Sequence, residues 1–249
     1  MPSADLVHYI GSVFQERETA NGQTNHQDVA RAIVGESSNL FPRLARSIRA
    51  MDMHPYLYPG AFSMVRSLAE DSNSSVIIWT QGNIRGQLSK IVTSGLASLR
   101  REVGRDNMEI FVAEDKITPI SGLLDRLQGE GFKEFVILDD KPANIEGVIL
   151  ASEKWKIDHP DADINIVPIL VNNGSKASLE CLQIPSLANL ADVYRRRSNV
   201  KTAYLVDFDH TIADSGEAKK RLFLDIASII EEGSTILGSH KDDLLAGVF

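Results

Sequence analysis

The feature that most constrains this chain is a set of five short apolar runs, each too brief for a globular helix and each rich in β-branched or aromatic residues. They are Val76–Trp79, Met108–Val112, Phe135–Leu138, Ile164–Val171 and Ala203–Val206. Their hydrophobicity is nearly continuous rather than alternating, which marks strands covered on both faces, as in a parallel sheet. Helix-like stretches lie between them, at Ala61–Glu70, Ile84–Ser94, Ile120–Gly129 and Ser186–Arg195. In the third of these, Leu123, Leu124 and Leu127 recur at helical spacing. Strands alternating with helices predict right-handed crossovers and an α/β fold: a doubly wound, parallel, five-stranded Rossmann-like sheet.

The two ends carry no strand signal and read as helical. Residues 1–54 place Leu6, Val7, Ile10, Val13 and Phe14 on one face, with a polar break at Ala20–Gln27. Toward the other end Leu222, Leu224, Ile226, Ile229 and Ile230 precede Gly233. The run Arg195-Arg196-Arg197 reads as a solvated helix end, its charges favoured by the helix dipole. With 249 residues, 43% of them hydrophobic, there is material for one large domain or for a core with an insertion.

The lone Cys181 has no disulfide partner in the chain and reads as a buried apolar thiol. No apolar run approaches the roughly 20 residues of a membrane helix. Met1–Asp5 lacks the basic flank and apolar stretch of a secretory signal. A net charge of −8 argues against a nucleic-acid backbone as partner. The expectation is a soluble, cytoplasmic protein with neither membrane nor nucleic-acid partners.

Open α/β sheets collect their chemistry at the carboxyl ends of the strands. Here those ends are acidic. The last run leads into Asp207-Phe208-Asp209-His210-Thr211, and the third into Asp139-Asp140-Lys141-Pro142. The first ends in Thr80-Gln81-Gly82-Asn83, and Glu114-Asp115-Lys116 follows the second. Carboxylates gathered at one sheet edge repel one another unless a cation sits among them, and Asp207, Asp209, Asp139 and Asp140 offer the hard oxygens that Mg²⁺ prefers. Thr80, with Gln81 beside it, and Lys116 supply the hydroxyl, amide and ammonium that a phosphoryl group would want, although Lys141 lies near the same edge. An aspartate can attack phosphorus itself, and a second one can protonate the leaving oxygen and then activate water.

These residues resemble the haloacid dehalogenase-like phosphohydrolases. Asp207-Phe208-Asp209-His210-Thr211 is similar to the first motif of that family, Asp-x-Asp-x-Thr after an apolar strand. Thr80 matches the second motif, Lys116 the third, and Asp139-Asp140 the acidic pair of the fourth; Tyr58-Pro59-Gly60 is similar to the lead-in to the second. The resemblance implies an α/β core over 55–211. It assigns Asp207 as nucleophile and Mg²⁺ ligand, and Asp209 as general acid/base that lends its carbonyl to the metal. Asp140 becomes a direct ligand assisted by Asp139, Thr80 and Lys116 hold the phosphoryl oxygens, and Asn144 has a minor role. His210 stands where relatives commonly carry glycine and reads as a tolerated variant.

In the family the first motif opens the chain. Here the order is second, third, fourth, first. Joining Phe249 to Met1 restores the family order, so the resemblance implies a circular permutant whose α-helical cap is built from 1–54 and 212–249. The expected activity is Mg²⁺-dependent hydrolysis of a small phosphate monoester by a monomer or a homodimer, the latter with an exchanged cap. Alternatives are a non-catalytic binding module of the same fold and a receiver-like phosphoacceptor, which would lack the counterpart of Asp209. A phosphomutase or a dehalogenase fits less well.

Overall fold

In the computed structural model, which describes residues 2–21, 26–172, 181–196 and 199–236, all five apolar runs fall in strands of one parallel sheet, except that Ile164 precedes its strand. The strands are β1 (Ser74–Gln81), β2 (Met108–Ala113), β3 (Glu134–Asp139), β4 (Asn165–Val171), β5 (Leu182–Ile184) and β6 (Thr202–Val206), arranged β2-β1-β6-β3-β4-β5. The sheet has six strands where five were expected. The added strand, β5, pairs only with the end of β4, at Ile169–Val171. Pro168, which has no N–H to donate, falls just before β5 begins, where the outer side of β4 has no ladder to fill.

The strand latest in the sequence is central in space. β6 pairs with β1 on one side and β3 on the other, and Val206 is level with both Ile78 and Leu138. This register brings the carboxyl ends of β1, β6 and β3 together and makes Asp207 and Asp139 neighbours. β3 and β6 are buried along their whole length, as a strand covered on both faces must be.

The helices are α1 (Ala4–Asn21), α2 (His26–Val34), α3 (Phe41–Arg49), α4 (Ala61–Glu70), α5 (Ile84–Thr93), α6 (Leu96–Val103), α7 (Ile120–Gly129), α8 (Pro142–Asp158), α9 (Leu190–Val193) and α10 (Ser215–Ile236). Two departures from the sequence expectation have physical causes. Ser186–Arg195 is not one helix: a 3₁₀ turn at Leu187–Asn189 runs into the four-residue α9, which ends at Val193. Arg196 is accordingly no solvated helix end. Its guanidinium pairs with Asp71 at 2.7 Å and donates to Ser74 Oγ at 3.1 Å, while Arg197 lies outside the described residues.

The chain divides into two compact units. Among the described residues, one holds those within 53–81 and 94–215; the other holds those within 2–52, 82–93 and 216–236. The first is the α/β unit. Its core joins Ile77 and Trp79 of β1 and Phe135 and Ile137 of β3 with Leu123, Leu124 and Leu127 of α7 and Val148 and Trp155 of α8.

The second unit is helical and draws on both ends of the chain. Ile10, Val13 and Phe14 of α1, Val29 and Ile33 of α2, and Leu44 and Ile48 of α3 share one core with Leu222, Ile226 and Ile229 of α10. Phe14 and Phe223 meet with ring centroids 4.9 Å apart. Gly233 sits within α10 rather than ending it, where a Cβ would come 2.7 Å from Leu40 Cδ2. Residues 82–93, expected in the α/β core, group with the helical unit. The last part of the expected cap, 237–249, and most of the polar break at Ala20–Gln27 lie outside the described residues. Among the described residues no helix is long and apolar enough to cross a membrane.

Candidate active site

Four of the sequence-predicted residues meet at the carboxyl edge of the sheet. Asp207 follows the last residue of β6, and its amide donates to the Leu138 carbonyl at 2.9 Å, which locks it to the end of β3. Asp139 closes β3 and Asp140 follows it. One oxygen each from Asp139, Asp140 and Asp207 lies within 4.8 Å of the others. Lys116 arrives from the loop after β2, two strands away from β6. Its Nζ donates to Asp139 Oδ2 at 2.6 Å and to Asp207 Oδ1 at 2.5 Å.

The loop that delivers Lys116 is fixed by its neighbour. Asp115 accepts the backbone N–H groups of Ile117 and Thr118, each at 3.0 Å, and the Thr118 hydroxyl as well. Those bonds hold the Asp115 carboxyl below its ordinary range, with the Thr118 hydroxyl the largest cause. Ile117 is packed so closely against α8 that a Cβ on Gly147 would come 2.7 Å from its Cδ1. Gln81, expected beside the phosphoryl group, is exposed, and its amide donates to the Glu114 carbonyl at 2.8 Å, tying the end of β1 to this loop.

Burial makes this ion group costly. Lys116 is 3% exposed, Asp139 4% and Asp207 5%. Loss of water pushes the Asp207 carboxyl well above its usual range; Lys116 opposes that rise, and Asp139 and Asp209 add to it. Asp140 is also raised, first by burial and then by Asp139, against the pull of His210, Lys141 and Lys116. Lys116 loses from burial but gains more from its two carboxylates, so its ammonium is held above the ordinary lysine value. Lys141 is exposed and joins the group through its backbone N–H, which donates to Asp139 Oδ1 at 2.9 Å.

The hydrogen-bond count separates the carboxylates by role. Asp139 receives Lys116, the Lys141 amide and Asn144 Nδ2, the last reaching both oxygens at 2.9 and 3.0 Å. That fills the roughly four lone-pair sites of a carboxylate. Asp140 Oδ1, by contrast, is buried and has no partner. Three carboxylates and one ammonium leave two negative charges when all are ionised. An unpartnered buried oxygen, closely spaced carboxylates and that residual charge suit a hard divalent cation. Asp140 brings the unpartnered oxygen, whereas both oxygens of Asp139 are already taken by hydrogen bonds.

Thr80 and Thr211 are fully buried, and their Oγ1 atoms have no partner, a costly state for a hydroxyl unless a bound group completes it. Thr80 lies two residues beyond Ile78, which is level with Val206. Asp209 is half-buried, two residues after Asp207. The turn that carries it is closed by Ile212 N and Ala213 N donating to the Phe208 carbonyl at 3.0 and 3.1 Å, and by His210 N donating to the Ala213 carbonyl at 2.7 Å. It is stitched to the segment before α4 by Tyr58 N to Ile212 O at 2.9 Å and Asp214 N to Tyr56 O at 2.8 Å.

The chain matches no family model, no curated protein and no solved structure. What the site can do therefore rests on its own geometry. Asn144, expected in a minor role, and two residues given none at the site, Tyr58 and Asp214, join it. Asn144 donates to both oxygens of Asp139, a larger part than its sequence position implied. Tyr58 and Asp214 stand at its margin: burial raises the Tyr58 hydroxyl, and Asp214 and Asp140 raise it further. The only sequence signal for these two was their closeness to Pro59-Gly60 and to Thr211.

Proposed function

We propose that this chain is a Mg²⁺-dependent phosphohydrolase of the haloacid dehalogenase-like type, acting on a small phosphate monoester. The observation that carries the proposal is the Asp207 carboxylate at the end of the central strand, held by a buried lysine shared with Asp139, with a second aspartate two residues on. A structural ion pair has no need of a third carboxylate with an unpartnered buried oxygen, nor of two buried hydroxyls without partners. A phosphoryl group and its counter-cation would use all of them.

In this scheme an Asp207 oxygen attacks phosphorus as the bond to the leaving oxygen breaks, and Asp209 gives that oxygen its proton. Asp209 then takes a proton from water, whose oxygen attacks the same phosphorus. Phosphate departs and the Asp207 carboxylate is restored. Lys116 opposes the effect of burial on Asp207 and offsets charge on the phosphoryl oxygens, which Thr80 also meets. Mg²⁺, held by Asp207, Asp140 and the Asp209 carbonyl, would supply charge stabilisation to those oxygens. Relative to the family that it resembles, the chain carries its strands in permuted order, with the nucleophile strand last.

The test is hydrolysis of an aryl phosphate with Mg²⁺ or with chelator. Turnover should require Mg²⁺ and fall at least about 10³-fold in Asp207→Asn. In Asp209→Asn it should fall by about 10²- to 10⁴-fold. Turnover surviving Asp207→Asn would refute the assignment.

A further inference from the structure

The scheme above leaves His210 without a task, and its backbone is unusual. Its φ is 61°, in the left-handed region, and among the described residues the only other non-glycine with positive φ is Asn199. The turn imposes this: the His210 N–H closes onto Ala213, and Asp209 forms a bridge with Ala213. Glycine would take this conformation without steric cost, whereas a side chain here is strained. Such outliers gather at functional sites.

The imidazole is not simply shed into water. It is part-exposed, with a relative side-chain exposure of 41%, and its Nδ1 lies 4.0 Å from Asp214 Oδ1. Its field reaches Asp140, one of the clustered carboxylates, and Asp140 and Asp214 both act on the Tyr58 hydroxyl. The turn that follows Asp207 thus carries imidazole and carboxylate 4.0 Å apart, on backbone hydrogen-bonded to Tyr56 and Tyr58. A phosphoryl group taken by the carboxylate and lysine cluster would leave the rest of its ester beside these polar groups.

We propose that His210 is a specificity-determining residue of this site, held by its turn where its imidazole N–H donates a hydrogen bond to an oxygen on the leaving group of a hydrophilic phosphate monoester. This rests on the phosphohydrolase reading. The test compares wild type, His210→Gly and His210→Asn on two esters with Mg²⁺. Phenyl phosphate has an apolar leaving group, and glycerol 2-phosphate has one bearing hydroxyls.

His210→Gly should melt no lower than wild type, because glycine removes the strain. Its kcat/KM on glycerol 2-phosphate should fall about tenfold, mainly through KM, as loss of one hydrogen bond predicts. On phenyl phosphate it should stay within about twofold of wild type. His210→Asn, which tolerates the same backbone and keeps an N–H donor, should retain most of the activity on glycerol 2-phosphate. Equal effects on both esters, or none on either, would overturn the role of His210 while leaving the phosphohydrolase standing. A wild type that cleaves neither ester would remove both.

Discussion

Replacing Lys116 by methionine should destabilise the α/β unit with a definite pH signature. The ammonium reaches both Asp139 and Asp207, at 2.6 and 2.5 Å. All three groups are at least 95% buried, so solvent screening does not dilute the pair as it would at a surface. Methionine keeps the volume and removes the charge. Two carboxylates are then left buried and unopposed, and breaking a buried pair in this way costs about 3–5 kcal/mol.

The sign of the pH dependence follows from Asp207. Its folded-state affinity for protons is already raised by burial, and Lys116 is what opposes the rise. A carboxyl raised on folding adds stability below its unfolded value, near pH 4, and that contribution is lost as pH rises through the higher folded value. Without Lys116 the folded value climbs further. The deficit of Lys116→Met should therefore be largest at pH 8 and shrink toward pH 5.

The assay is urea denaturation in chelator, followed by tryptophan fluorescence. Both tryptophans, Trp79 and Trp155, lie in the core of the α/β unit, so the signal reports on that unit alone. Adding Asp207→Asn to Lys116→Met removes one of the stranded charges and should recover at least half of the loss, a coupling that a double-mutant cycle measures. A variant within about 1 kcal/mol of wild type at pH 8, or a deficit that grows on acidification, would refute Lys116 as the counter-ion.

Two further perturbations separate the remaining causes. Mg²⁺ at about a hundred times its dissociation constant should raise wild-type stability by about 2.7 kcal/mol; in Asp140→Ala the increment should vanish, while stability in chelator is unchanged or higher, since the unpartnered Oδ1 is gone. Gly60→Ala should cost about 2–4 kcal/mol by thermal denaturation, because it combines a φ of 77° with a Cβ only 2.8 Å from that of Ala188. Gly131→Ala, with a φ of 84° and nothing within 4 Å, should cost only about 1 kcal/mol. Equal losses at the two glycines would mean that the Ala188 contact is immaterial.

The five long strands were legible because burial on both faces writes a continuous apolar run into the sequence, and β3 and β6 are buried at every residue. β5 was not, because three residues at a sheet edge, one of them exposed, leave no pattern that differs from a loop. α8 escaped for the opposite reason. Its buried side, Ile145, Val148 and Trp155, is blurred by Leu150 and Ile157, which are 66% and 78% exposed, so no single apolar face stands out in the sequence. Residues 82–93 sit between β1 and α6 in the chain, and only tertiary contacts reveal that they group with the helical ends.

The acidic residues were legible as a set because strand ends are where a parallel sheet leaves polar groups. Their division of labour came from the resemblance alone, because the residues themselves do not say which lysine is buried. Lys116 and Lys141 are equivalent as letters beside acidic pairs. They differ because Asp115 pins one loop inward by accepting two backbone N–H groups, whereas Lys141 opens α8 with its side chain in solvent and only its amide on Asp139. Asp139 is thereby saturated and Asp140 left with an unmet oxygen, although the two are adjacent and identical in type. If the cluster holds a cation as proposed, hydrogen-bond supply rather than order along the chain decides which aspartate binds it, and exchanging that supply is the way to move it. Asn144→Leu removes the amide from both oxygens of Asp139 and leaves Asp140 untouched. If Asp139 is kept from the cation by its donors, this change should strengthen Mg²⁺ binding measured by calorimetry, and if Asp139 is an essential ligand oriented by Asn144 it should weaken it.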